Sequence, residues 1–456
     1  MSNPNKGIIT TYVLVFGSIF LLLLSGLLGF ILLQLRQTSQ KLSWNEAIHI
    51  AEAGIDYYKW CLNNEVEQNC LLDKDYFDPA GNRRGHFSLQ VSSMVACGQI
   101  SQREIISTGW TDKFPQIKRT VTALYARPSV AQYSYILNDN VWIGSDHEIR
   151  GPYQSNGGIR MDGENQSLVS SAQTEWVCTS SFGCDPSQIK PGVFTTANGN
   201  EDLFQFPVVP FDFAGITIDL AQMKISAQTS GVYLPPSNQI DSRAKGYHIK
   251  FKNNGTFDVF IITQLSSTYA YSAEEGWHYD YFTIGSEYFY QNFTPPSACS
   301  VVFIEDNIWA DGQVKGKITA ASANLITPNL DTDIILPASI EYTAIDGSDG
   351  LSLIGERNVL IGPQSPGNME LRGVFIAQKG RFSRNHYPNN IKENLEISGS
   401  IISNGRVGTQ WISGSQIVSG YRQRESYFDT HLIYAPPPFL PYTSPDFKII
   451  SWEENE

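Results

Sequence analysis

Charge is scarce in this chain of 456 residues: Asp, Glu, Lys and Arg together make up 17%, and acids outnumber bases by 45 to 32. The net charge of −13 argues against a nucleic-acid partner and against a body pressed onto anionic lipid. Catalytic signatures are missing as well. There is no GxSxG, HExxH or Walker sequence, and no histidine stands beside a Ser or Cys nucleophile in a recognisable pattern. No CxxC occurs and the seven histidines are scattered, which excludes a zinc module. No catalytic residue, metal or cofactor is therefore expected.

One stretch lacks charge altogether. From Ile8 to Leu35 the sequence is uncharged, free of proline and dominated by Leu, Ile, Val and Phe. At ~1.5 Å per residue it is ~40 Å long, enough to cross a bilayer core of ~30 Å with some tilt. Beyond it, Trp44, Ile48, Ala51, Ile55, Tyr58 and Leu62 recur at steps of four and three, the stripe of an amphipathic helix. Neither proline nor glycine lies between Leu35 and Trp44, so one continuous helix is predicted: 8–35 in the membrane, 36–64 as its amphipathic continuation. Lys6 alone precedes the run while Arg36 and Lys41 follow it, so the positive-inside rule does not favour an internal N-terminus. Cysteine usage and the composition of the body favour an external C-terminus all the same.

Lys6-Gly7 before the apolar run, Glu46-Ala47, and Ala51-Glu52-Ala53-Gly54 resemble the N-terminus of type IV pilin-like proteins, the PilX type above all. That resemblance spans about the first 60 residues. It implies a leader at 1–7, cleaved between Gly7 and Ile8 by a prepilin peptidase, and partnership with other pilin subunits and the pilus assembly machinery. Ordinary pilins of the family carry a glutamate five residues past the cut, held to neutralise a neighbouring subunit's amine. Tyr12 stands there instead, which points to a minor or tip subunit rather than a bulk one. A plain signal anchor is the competing reading, although the run is too long for an ordinary signal peptide.

Of the six cysteines, Cys61 with Cys70 and Cys178 with Cys184 lie close enough to close local disulfides in an oxidising compartment. Cys97 and Cys299 are left without an assigned partner. Residues 65–128 alternate apolar and polar positions in short runs and predict a small antiparallel meander, a pilin-type head in outline.

Past Pro128 the chain repeats itself. YILNDNVWI from Tyr135 is echoed by VFIEDNIWA from Val302 and by LIGERNVLI from Leu353. A second element recurs as Glu148–Gly151, Glu370–Gly373 and Glu396–Gly399, the last two copies 26 residues apart. Short β runs punctuated by Asn and Gly at such a period predict a right-handed parallel β-helix over 129–435, with Asn and Gly at left-handed corners. An antiparallel β-sandwich is the alternative. An excursion at about 200–300 is expected to hold a helix from Asp212, with Phe213, Ile216, Leu220 and Met223 on one face, then a hairpin turning at Asn254-Gly255. Residues 436–456 read as a proline-rich, acidic tail.

Since β-helices suit polysaccharide chemistry, Asp139, Asp146, Asp306, Asp311, Asp346 and Asp349 are the acids to inspect. Asp139 and Asp306 belong to the repeat, which favours a structural turn, and Asp346-Gly347-Ser348-Asp349-Gly350 lacks the spaced glutamate of a calcium loop. His386 beside Arg381 and Arg384, and the aromatics from Tyr271 to Phe293, are the remaining candidates for a glycan or other surface ligand. The fold class expected is mainly β: a long transmembrane and amphipathic helix, a small α+β head, then the solenoid. The function expected is structural, a subunit anchored in the cytoplasmic membrane with its body outside. The alternative is an anchored β-helix that binds or degrades polysaccharide.

Overall fold

The computed structural model describes residues 6–64, 66, 69–214, 219–327, 330–414 and 416–455. Two compact units divide the chain: Met1–Ser93, Arg103–Tyr125 and Asp446–Glu456 form the first, Met94–Gln102 and Ala126–Pro445 the second.

The first unit is built on a single helix, α1 (Lys6–Asn63), ~87 Å long at the standard rise. Its apolar half is exposed along its length, whereas its C-terminal half lies on a five-stranded sheet. The strands are Asp73–Phe77, Arg83–Ala96, Gln99–Thr111, Lys118–Ala126 and Lys448–Asn455, side by side in that order. Ile50, Ala51, Ile55 and Tyr58 pack against Phe87, Leu89, Ile105 and Val121. The buried stripe follows the predicted one through Ala51, Ile55, Tyr58 and Leu62, with Ile48 partly buried against the same cluster, and departs from it at Trp44. Trp44 is 48% exposed and stacks under the Arg119 guanidinium at 3.5 Å, because the closest approach runs through small residues. At Gly109 a Cβ would collide with the backbone of Ala47 and Ala51. The last strand also corrects the reading of 436–456 as a tail: Ile449 to Trp452 give it enough β-forming side chains to finish this sheet.

The second unit is a parallel-strand solenoid. On its first face ten short parallel strands stack in the spatial order 204–205, 169–171, 153–155, 135–137, 401–403, 374–377, 352–355, 319–322, 301–304 and 232–234. At ~4.8 Å per step the stack is ~43 Å long. Residues in register put one side chain above the next: Tyr135, Ile401, Phe375, Leu353, Ala320 and Val302 form a continuous inner column. Ile136, Ile402, Ile376, Ile354 and Ala321 form a matching outer column. That outer column is covered rather than wet, because Met223 and Ala227 of a second helix, with Val130, Leu432 and Leu440, lie over it. Each such aliphatic side chain contributes about 1.5–3 kcal/mol by leaving water.

The stacking order is not the chain order. Residues 135–205 climb away in one direction, the chain returns to the far end, and 232–427 climbs back until 401–403 pairs with 135–137. The return is made by α2 (Leu220–Ser230), capped by Asp219, whose carboxylate accepts from the Gln222 amide. The helix expected from Asp212 therefore begins eight residues later, and Ile216 lies outside the described residues.

All three copies of the repeated motif start on the first face and end on the second, at 141–143, 308–310 and 359–361. The motif asparagines do not adopt the left-handed backbone predicted for them. Instead the side-chain oxygens of Asn140, Asn307 and Asn358 accept the backbone N–H of Gly158, Asp333 and Arg381 on the following rung. Bridging one rung to the next requires the amide oxygen, not a positive φ. Glycines do take the left-handed corners, and Gly373 sits directly on Gly399 in the stack, both with φ near +140 to +147°.

The incoming and outgoing chains of this unit run together, with Ser129 bridged to Tyr442 and the Thr443 amide bonded to the Pro128 carbonyl. The solenoid is thereby inserted between the fourth and fifth strands of the first unit's sheet.

Candidate functional site

Gly7 and Ile8 fall in the first turns of α1, whose apolar half is long and apolar enough to cross a membrane. Cys61 pairs with Cys70 where α1 ends, and Cys178 with Cys184 across a small hairpin. Cys97 pairs with Cys299, 202 residues away. No free cysteine remains among the described residues.

Each candidate aspartate is already engaged. Asp139 and Asp306 accept the amides of Asn140 and Asn307, and Asp306 also holds the Ser237 amide and hydroxyl. Asp146 makes a two-point pair with Arg424, both contacts 2.8 Å. Asp311 faces His248, Asp346 caps its own turn at Ser348, and Asp349 accepts from Gly316, Thr343 and Ala344. Among the described residues no group of acids, histidines and cysteines could hold a metal ion.

The structure gathers different residues. A long hairpin, Phe257–Ser272 with Gly276–Phe293, extends from the solenoid after the Asn254-Gly255 turn. Register places Tyr269 opposite Tyr279 and Tyr271 opposite Trp277, so all four rings share one side. Tyr269 and Trp277 stack at 4.9 Å with their planes 13° apart, and Tyr269 lies 5.2 Å from Tyr279. Near the hairpin's end, Tyr271 and His386 exchange two backbone hydrogen bonds, which fixes the end to the coil. There the line of rings continues: Tyr271 meets Trp411 edge-on at 5.6 Å, and Trp277 meets His386 at 5.3 Å.

Trp411 opens onto a cleft of about 350 Å³, lined also by Tyr271, Trp142, Arg381, Arg406 and Glu274. Topology makes this cleft. On the second face, strand 141–143 belongs to one sheet and strand 382–383 to another, because the intervening rung folds out as the antiparallel pair Gln410–Ser413 and Gln416–Tyr427. Where the two runs of the coil meet, that face is left open.

Three arginines line the opening, and two are neutralised: Arg381 by Glu274 at 3.0 Å and Arg424 by Asp146. Arg406 makes no ion pair among the described residues. Its guanidinium lies 4.4 Å over the Phe182 ring and donates to the Ser181 carbonyl, and burial pushes its pKa down. His386 is likewise held below its usual value by burial, so it is neutral at pH 7. Arg384 is fully buried, bonded to Ser419 and Asn390, and takes no part in the cleft. The segment around His386 is therefore packed structure.

No family model matches this chain. No curated protein matches it either. Among solved structures, it is similar to the competence-associated pilin ComZ from Thermus thermophilus, at 12% identity over 91% of this chain and 98% of that one. The TM-score is 0.32, too low to establish a common fold.

Sequence reasoning named His386, Arg381 and Tyr271 but missed Arg406, Trp411 and Trp142. The signal for Trp142 was present, since the repeat keeps Trp at 142 and 309 and both indoles find acceptors, Asp162 and the Phe282 carbonyl. Nothing in the spacing links 142 to 411, which become neighbours only through the reversed stacking.

Proposed function

We propose that this chain is a structural, membrane-anchored subunit of pilin-like design, with its inserted solenoid displayed outside the cytoplasmic membrane. The observation that carries the reading is the unbroken passage of α1 from a fully exposed apolar half into a half buried on a sheet. Left in water, each exposed Leu, Ile or Phe of the first half forgoes about 1.5–3 kcal/mol, which lipid or the apolar helices of neighbouring subunits supply. The buried second half makes the anchor and the head one rigid piece. Three disulfides and no free thiol among the described residues suit an oxidising compartment. The candidate acids are tied into turns and ion pairs, which supports a structural reading.

Within that role, the Gly7–Ile8 bond is the processing site and Tyr12 marks a minor or tip position in a filament. In cells carrying a prepilin peptidase, the mature protein is expected to begin at Ile8, and Gly7→Val to retain the leader. An intact leader on the parent chain, or normal maturation of Gly7→Val, overturns the pilin-like assignment and leaves a simple anchor.

A further inference from the structure

We infer that the cleft at the seam of the solenoid, together with the ring track leading to it, binds an extended saccharide chain bearing carboxylates. This goes beyond the anchoring role and does not depend on it.

The track has the chemistry of a sugar platform. Tyr269, Trp277 and Tyr279 are 46%, 52% and 60% exposed, so three adjacent large rings face solvent on a two-stranded support. Packed on one another and still about half exposed, the rings present flat apolar faces that match the C–H faces of pyranose rings. Their hydroxyl and indole edges remain free for the sugar's own hydroxyls. The track is held rigid where it meets the coil, because the Tyr271–His386 backbone bridge and the Trp411 indole bond to the Arg384 carbonyl fix both sides. A ligand laid on it loses little of its binding energy to ordering the protein.

The cleft supplies sign. In a chain of net charge −13, its opening holds three guanidiniums, of which Arg406 alone has no direct carboxylate partner among the described residues, Asp139 and Glu274 acting on it only at longer range. A planar guanidinium already stacked on Phe182 is oriented to take a carboxylate through its remaining N–H groups. One cation without a direct ion pair beside several rings fits a chain with a carboxylate on a sugar unit.

Single-stranded nucleic acid also stacks on aromatic rings, but it needs a row of cations to follow its phosphates. Here the hairpin turn beside the track carries Glu274 and Glu275, both more than half exposed. Those carboxylates accept from a saccharide's hydroxyls, donors that a DNA phosphodiester backbone lacks.

The test uses the full chain in detergent micelles, with tryptophan fluorescence and calorimetry as readouts. The probes are hexagalacturonate, the same hexasaccharide with its carboxyls methyl-esterified, and a short oligo-dT. Hexagalacturonate is expected to bind most tightly. Trp277→Ala, at an exposed position, is expected to weaken both saccharides about tenfold or more. Arg406→Gln is expected to weaken the acid form by about tenfold, the value of a charge-assisted hydrogen bond, and so to abolish its advantage over the ester. Tighter binding of oligo-dT, binding of neither saccharide, or an acid preference that survives Arg406→Gln overturns the inference. Circular dichroism and disulfide mapping of each variant establish that the fold is retained.

Discussion

His248 offers a sharp test of how the long hairpin is held to the coil. It sits on strand Tyr247–Phe251, 7% exposed, between two carboxylates from different strands. Its Nδ1 is 2.9 Å from Glu287 on the hairpin and its Nε2 is 3.1 Å from Asp311 on the coil. A neutral imidazole has one N–H and cannot donate to both, so the geometry demands the charged ring. Burial by itself would depress the pKa, but the hydrogen bonds and charges of Asp311 and Glu287 outweigh it and raise the value from 6.5 to about 9.

The folded protein therefore holds this proton more tightly than the unfolded chain. The stabilisation is fully present below pH 6.5 and is lost as pH climbs to about 9. Some two and a half pH units at 1.36 kcal/mol each give roughly 3 kcal/mol. His248→Gln, which cannot charge, should be less stable near pH 6.5 and should lack this slope. Denaturant unfolding of both chains at pH 6.5, 7.5, 8.5 and 9.5 measures the difference, and an NMR titration of the ring gives its midpoint directly. If the two stability curves run parallel over that window, or the ring titrates near 6.5, the bridging role assigned to His248 is wrong.

Other expectations follow from the packing and the cross-links. Gly109→Val should destabilise the helix-on-sheet unit by about 1–3 kcal/mol or more, since the backbone of α1 must shift to admit it. Hydrogen exchange in the C-terminal half of α1 reads that loss, and unchanged protection would refute the close approach. Replacing Cys97 and Cys299 together by serine removes a link spanning 202 residues and should cost about 2–5 kcal/mol. The same exchange at Cys178 and Cys184, only 6 apart, should cost less; equal losses in thermal unfolding would contradict a chain-entropy account.

Local features were legible in the sequence, and long-range ones were not. An uncharged run and an unbroken periodicity announced α1, and its buried stripe departs from the expected one only at Trp44, where glycine and alanine set the closest contact. The repeated motif marked the solenoid because each copy meets the same environment on the same face. Sequence alone does not reveal that rung 401–403 receives 135–137, since no local preference favours one parallel partner over another. Cys97 and Cys299 stayed unassigned for the same reason. The length of the hairpin was hidden by register shifts near Val259, Ile262 and Ser266, which break its alternation. The cleft follows from this reversed stacking, so only fragments of it were visible beforehand.

The chain enters and leaves the solenoid side by side, at Ser129 and Tyr442, so the coil is an insertion closed at its own base. A rung gained or lost within the coil leaves that paired entry and exit unchanged. Such a body can change its reach by increments of ~4.8 Å while keeping its foundation and its opening intact.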